Sequence, residues 1–302
     1  MSSTPAYTST TRPLDAMAAA IVVVLCLSWG INQVAAKFAI HEIPPLTQAA
    51  VRSAVAALLI AAWCHLRGIP LFKRDGTLWF GLAAGVLFAI EFILIYQGLL
   101  YTTATRAVLF IYLAPFFVVL GARVFLPVDR FSIAQWFGLT LSFVGMLIAF
   151  GVPTPALDPR QAVGDVMMIG AAAFWAATTL TIKATPLTRA SAEKIMLYQL
   201  VVSAPIMAVA AFVTGERVVT LPSAMALASI VYQTVWVVSV TYVIWFALIA
   251  RFSASRLSAF TFLTPLFGVA AGHLLLGEPL TPAFAAAVAL VAGGLVLVNR
   301  AR

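Results

Sequence analysis

The stretch Trp29-Gly-Ile-Asn32-Gln-Val-Ala-Ala-Lys37 returns 146 residues later as Trp175-Ala-Ala-Thr178-Thr-Leu-Thr-Ile-Lys183. A second pair repeats at nearly the same offset. Thr103-Ala-Thr-Arg106 with Pro115 becomes Ser253-Ala-Ser-Arg256 with Pro265, 150 residues on. One half of the chain therefore maps onto the other. Each half holds five apolar stretches, and five is odd, so the second copy must enter a bilayer from the opposite side. Inverted repeats of this kind are the architecture of alternating-access transporters. The expectation is an all-α polytopic membrane protein with ten transmembrane helices in two inverted five-helix repeats, residues 16–151 and 163–299.

Composition agrees. Of 302 residues 63% are hydrophobic and 9% charged, with a mean hydropathy of +1.05. A soluble chain carries about 25% charged residues to face water; here most of the surface must face lipid. A span takes ~20 residues to cross a ~30 Å hydrocarbon core, so ten spans leave room for short connections and tails only. The net charge of +8 reads as the positive-inside bias of a membrane protein rather than as a nucleic-acid surface. Cys26 and Cys64 lie inside apolar spans without metal spacing and read as small apolar fillers.

The spans are expected at 16–38, 47–66, 77–100, 104–125, 131–151, 163–183, 194–213, 223–249, 255–276 and 281–299. Arg12 before an apolar run raises a cleaved signal peptide. That run carries Trp29 and Lys37, which belong to the repeat, so it is expected to be retained. With both termini inside, 13 of the 18 Lys and Arg fall on the cytoplasmic side: Arg12, Arg67, Lys73, Arg74, Arg123, Arg130, Lys183, Arg189, Lys194, Arg251, Arg256, Arg300 and Arg302. Lys37, Arg52 and Arg106 are exceptions placed in or at the ends of spans, where charge is costly.

Taken together, Trp29-Gly30-x-Asn32 with Lys37, Pro44-Pro45 and Arg52, Thr103-Ala104-Thr105 running to Pro115, Gly164-Asp165 leading into Trp175, and Gly277-Glu278-Pro279 with Gly293-Gly294 resemble the EamA family of the drug/metabolite transporter superfamily. The resemblance covers nearly the whole chain after its first fifteen residues or so. It implies ten helices with cytoplasmic termini, a cavity lined by helices 1, 3, 4, 6, 8 and 9, and export of small metabolites, amino acids most commonly. One departure stands out. The first half reads Pro127-Val128-Asp129 where the second has Gly277-Glu278, so a symmetric role for Glu278 is not implied.

Glu91 is the one acid well inside a span. A buried carboxylate has to be protonated, paired or hydrated, which makes it a candidate proton-coupling group or counter-ion for a substrate amine. The plainer reading is a carboxyl satisfied by neighbouring polar groups. Lys37 and Lys183 hold equivalent positions and could clamp a gate by charge pairing or draw in a substrate carboxylate; equally, each could snorkel from a helix end. Arg52 could pair with Glu91, though an interfacial arginine is the simpler reading. Ser255, Ser258, Thr261 and Thr264 recur at spacing three along span 9, as a hydrated lining or as small packing residues. Pro115 and Pro265 each free a carbonyl in mid-span and could act as hinges.

Span 8 is aromatic. Tyr232, Trp236 and Ser239 share a helical face, and Trp236 lies too deep for an interfacial belt, whereas Tyr101 and Trp245 fit that belt. Gln97 and the equivalent pair Asn32 and Thr178 complete the polar candidates; amides in lipid are rare unless they bond across helices or to a ligand. His41, His65 and His273 are scattered, no phosphate loop or nucleophile elbow is present, and no catalytic residue, metal or cofactor is expected.

The resemblance, together with these aromatic candidates, implies a secondary exporter of small metabolites in a plasma or bacterial inner membrane, favouring aromatic and other hydrophobic amino acids, with substrate, lipid and no nucleic acid as partners. A sugar-phosphate or nucleotide-sugar transporter would need cavity Lys and Arg, and only Lys37, Arg52 and Arg106 are placed for it. An intramembrane enzyme would need a nucleophile–base pair or metal, and Glu91 has no such partner. The Gly- and Ala-rich spans 5 and 10 could pack internally in a monomer or form a homodimer face.

Overall fold

The computed structural model describes residues 14–126, 129–155 and 158–300. Arg12, Pro127, Val128 and Arg302 therefore lie outside the described residues. Ten helices long and apolar enough to cross a membrane follow one another: α1 (Ala16–Ile40), α2 (Pro45–Leu66), α3 (Leu78–Gly98), α4 (Ala104–Phe125), α5 (Ile133–Phe150), α6 (Pro159–Ala184), α7 (Ala192–Val213), α8 (Ala224–Arg251), α9 (Ala254–Leu276) and α10 (Pro282–Arg300). Each matches an expected span, with ends moved by a few residues. The chain is a multi-pass, all-helical membrane protein.

Short polar residues start these helices. Asp15, Thr103, Ser132, Asp158, Ser191, Ser223 and Ser253 each accept a backbone N–H of the first turn through the side chain. At Ser132 the bond is reciprocated by Gln135. First-turn donors have no partner within the helix, so such caps are strongest where solvent is scarce.

Three helices are irregular, and all three face the site described below. α4 breaks at Tyr112-Leu113 and α9 at Thr261-Phe262, a few residues before Pro115 and Pro265. A proline donates no hydrogen bond and crowds the preceding turn. The chain answers with tighter bonds, Leu113 N to Phe110 O and Phe262 N to Ala259 O. In α8, residues Tyr232–Thr241 form a π-helix, and Ser239 Oγ donates to Thr234 O five residues back. Wide turns like these are rare and frequently occur at functional sites.

Glycine lets helices touch backbone to backbone. α5 packs along α10, where a Cβ on Gly294 would stand 2.4 Å from Gly138 O and a Cβ on Gly138 2.6 Å from Gly294 O. Spans 5 and 10 thus cover each other within one chain. α1 meets α9 in the same way, with Gly30 against Phe267 and Gly268. The remaining principal pairs are α3 with α6 and α7, α2 with α7, α4 with α6, and α1 and α2 with α8.

Candidate functional site

A cavity of about 290 Å³ lies between α1, α3, α4, α6, α7, α8 and α9. Its walls are built from aromatic rings. Trp29 on α1 meets Tyr242 and Trp245 of α8 edge-on, with centroids 5.8 and 5.3 Å away. Phe88 on α3 makes an edge contact with Tyr242 at 6.4 Å and a tilted one with Phe92 at 4.7 Å. Opposite them, Tyr112 at the break in α4 meets Trp175 of α6 at 6.3 Å. Edge-to-face geometry sets the positive rim of one ring on the negative face of the next. The Trp29 ring is fixed further by its Nε1, which donates to Thr241 Oγ1 at 2.9 Å. Trp29 and Trp175 are the two residues that announced the repeat, and both line the cavity.

Few polar groups interrupt this wall. Asn32 and Gln33 of α1, Glu91 of α3, Thr178 and Thr179 of α6, Gln199 of α7 and Thr264 of α9 are among the lining. Gln199 is fully buried; its Nε2 donates to Ile195 O, while its Oε1 has no partner among the described residues. Asn32 Oδ1 is likewise buried with no partner among them. Glu91 is 8% exposed and accepts no hydrogen bond from the described residues. It is in none of the ion pairs found among them either.

Of the sequence candidates, Asn32, Glu91, Thr178 and Thr264 line this cavity, and Gln97, Trp236, Ser239, Ser258 and Thr261 are not among its lining. Trp236 is 41% exposed and donates from Nε1 to Ser28 Oγ of α1 at 3.0 Å. Trp245, expected in the interfacial belt, is 4% exposed and lines the cavity instead. The π-helical segment explains the exchange, because counting 3.6 residues per turn assigns the wrong faces once turns widen. Ser239 bonds to Thr234 O, and Gln97 is half-buried outside the lining. Ser258 and Thr261 are buried at the α9 break, where Thr261 Oγ1 donates to Ser258 O, and of the hydroxyl stripe Thr264 alone reaches the cavity wall.

The basic residues differ from their simplest readings. Arg52 is buried against the neighbouring helices. It is 3% exposed, sits 4.8 Å from the Phe92 ring and donates to Gln233 Oε1 at 3.4 Å. It acts on Glu91 through space but forms no ion pair with it. Lys183 does not snorkel into solvent. It is 2% exposed, donates to Ala250 O at 3.1 Å and feels the charge of Asp129, whose carboxylate accepts from Ser253 Oγ and Ser255 N at the start of α9. Lys37 pairs with Glu278 at 2.9 Å, both half-exposed, tying α1 to the α9–α10 connection. Arg106, the third exception to the charge bias, forms a bidentate pair with Asp165 of α6, which also accepts from Thr102 Oγ1.

The helix ends are laced outside the spans as well. Glu42 in the α1–α2 connection accepts from Ser223 N and Oγ at the start of α8. Those bonds hold its carboxyl below the usual carboxylate range. Glu216 before α8 accepts from Leu46 N, Thr47 N and Thr47 Oγ1 at the start of α2. Carboxylates at helix N-termini meet both the free N–H groups and the positive end of the dipole.

A model of the EamA-like transporter family matches residues 16–151 and again residues 162–300. The chain belongs to the EamA-like transporter family. This family member is 28% identical over 298 residues to the "Probable amino-acid metabolite efflux pump" of Salmonella typhimurium, covering 94% of each chain. The protein of the same description in Escherichia coli K12 is 26% identical over 278 residues, 88% of each. An "Uncharacterized transporter YvbV" of Bacillus subtilis is 24% identical over 285 residues, covering 93% of this chain and 91% of that one. A solved crystal structure superposes with a TM-score of 0.80 at 18% identity, covering 93% of this chain and 96% of that one, which shows a shared fold.

Proposed function

We propose that this EamA-like transporter exports small amphipathic metabolites, aromatic and other hydrophobic amino acids among them, by alternating access. The observation that carries this reading is the aromatic cavity with Glu91 in its wall. An apolar pocket with few convergent polar groups suits a ligand with an apolar body and one polar head. The efflux-pump description of two relatives at 26–28% identity supports amino-acid metabolites as the cargo class.

In this reading residues 16–151 and 163–299 are inverted units that rock against each other, with both termini cytoplasmic in a plasma or bacterial inner membrane. The breaks at Pro115 and Pro265 flex as the units move. Lys37 with Glu278 and Lys183 with Asp129 act as gate clasps at the two ends. The Lys183 end is buried here, and the Lys37 end is half-exposed.

Counterflow in proteoliposomes tests the proposal. Saturable exchange of labelled Phe, Leu or Met is expected, and protein shown to be folded that exchanges none of them sinks the amino-acid assignment.

A further inference from the structure

We propose that the cavity grips an organic ammonium and leaves a carboxylate unrecognised, so that its best ligands are apolar amines and carboxyl-blocked amino-acid derivatives. The inference rests on the transport reading above and narrows its substrate class.

Glu91 is the one acidic or basic side chain among the lining residues. The cations of the neighbouring helices lie outside the lining. Lys37 holds Glu278, Arg106 holds Asp165, and Lys183 donates to Ala250 O. Arg52 lies over Phe92 with a bond from Nη1 to Gln233, keeps its Nε without a partner among the described residues, and is not part of the lining. A free amino acid would therefore bring its carboxylate into an apolar cavity without a positive partner, and an unpaired buried carboxylate is costly.

An ammonium meets the opposite situation. The Glu91 carboxylate accepts nothing from the described residues. Gln199 presents a fully buried side chain whose nitrogen donates to Ile195 O and whose oxygen has no partner among the described residues. Asn32 Oδ1 is a second buried oxygen without a donor. All three are acceptors and an ammonium is donor only, so the head group and the site complement each other. The faces of Trp29, Trp245 and Tyr242 add cation–π attraction, strongest where water is excluded.

The decisive series holds the body constant and changes the charge: phenethylamine, phenylalanine amide, phenylalanine and 3-phenylpropionate, with affinities measured by calorimetry on purified protein. The two cations are expected to bind about tenfold or more tightly than phenylalanine, which carries the same ammonium but must also bury a carboxylate that finds no positive partner in the lining. The acid without an amine is expected not to bind. Glu91→Gln should weaken the cations by a similar factor and narrow the series. Phenylalanine binding more tightly than its amide, or 3-phenylpropionate matching phenethylamine, overturns the inference, as does failure of every ligand to bind. The wild-type series decides this even if the variant does not fold. Counterflow separates the two readings. Phenylalanine exchange that amines do not inhibit removes the ammonium inference and keeps transport; tight amine binding without exchange of any ligand removes transport and keeps the site.

Discussion

A side chain inside a membrane protein can point at lipid, a neighbouring helix or a cavity, and each direction has different consequences when the side chain is removed. Trp245 belongs to the third kind, stacked edge-on against Trp29 in the cavity wall. Trp245→Ala is expected to weaken ligand binding by about tenfold, the scale of one aromatic contact plus cation–π attraction. Trp236→Ala loses one hydrogen bond to Ser28, worth about 1 kcal/mol of stability, and should leave affinity within about twofold. Paired titrations check the contrast, and equal losses of affinity would contradict the assignment of faces. Asp75 offers a test of charge outside the spans. Its carboxyl is held down to about 2, first by the bond from Lys194 and then by Thr77. A lowered folded value means stability present above the ordinary value of 3.8 and lost as pH falls through about 2. The melting temperature of wild type should therefore exceed that of Asp75→Asn by a constant margin from pH 5 to 8, and the margin should shrink to nothing near pH 2. A margin that instead grew on acidification would show that the pair does not form.

Between helices the limiting resource is space. Gly293 and Gly294 are adjacent in α10 yet differ sharply in what a methyl group would meet. At Gly294 a Cβ would stand within 2.4 Å of Gly138 O, a backbone atom that cannot turn aside, whereas at Gly293 the nearest atom is Leu141 Cδ2 at 3.9 Å. Gly294→Val is expected to cost about 2–3 kcal/mol or more by forcing α5 and α10 apart. Gly293→Ala should be neutral or stabilising by up to about 1 kcal/mol, since alanine loses less backbone entropy in a helix. Thermal unfolding in detergent ranks the two, and equal effects would mean that the α5–α10 contact is not the one described. The same economy explains why the breaks in α4 and α9 are tolerated. Their freed polar groups lie at a cavity or in tightened turns rather than in lipid.

For the whole molecule the two ends differ. At one, Lys183, Asp129 and Ser253 are buried together; at the other, the Lys37–Glu278 pair is half-exposed. If the two five-helix units rock around the cavity, locking α1 to the α9–α10 connection must stop them. Lys37→Cys with Glu278→Cys, joined by a short methanethiosulfonate cross-linker, is expected to abolish counterflow, with recovery on reduction. The native thiols of Cys26 and Cys64 are buried and should not compete. Full exchange in the cross-linked protein would rule out motion at this end.

Ten spans, their order and the EamA-like identity were legible in the sequence, because lipid imposes length and apolarity on every crossing segment and the Trp29/Trp175 repeat survives in the residues themselves. Glu91, Asn32 and Thr178 were legible for a related reason: a polar group in an apolar span is conspicuous. What tertiary structure alone decided is which aromatic rings share a wall. Nothing in Tyr232–Thr241 announces a π-helix, and that segment turns Trp236 outward while Tyr242 and Trp245 face the cavity. The engagement of the cations was equally out of reach, since Arg106 with Asp165 and Lys37 with Glu278 join residues far apart in the chain. Hydropathy and spacing are properties of one segment at a time, whereas a binding wall and an ion pair exist only where several segments meet.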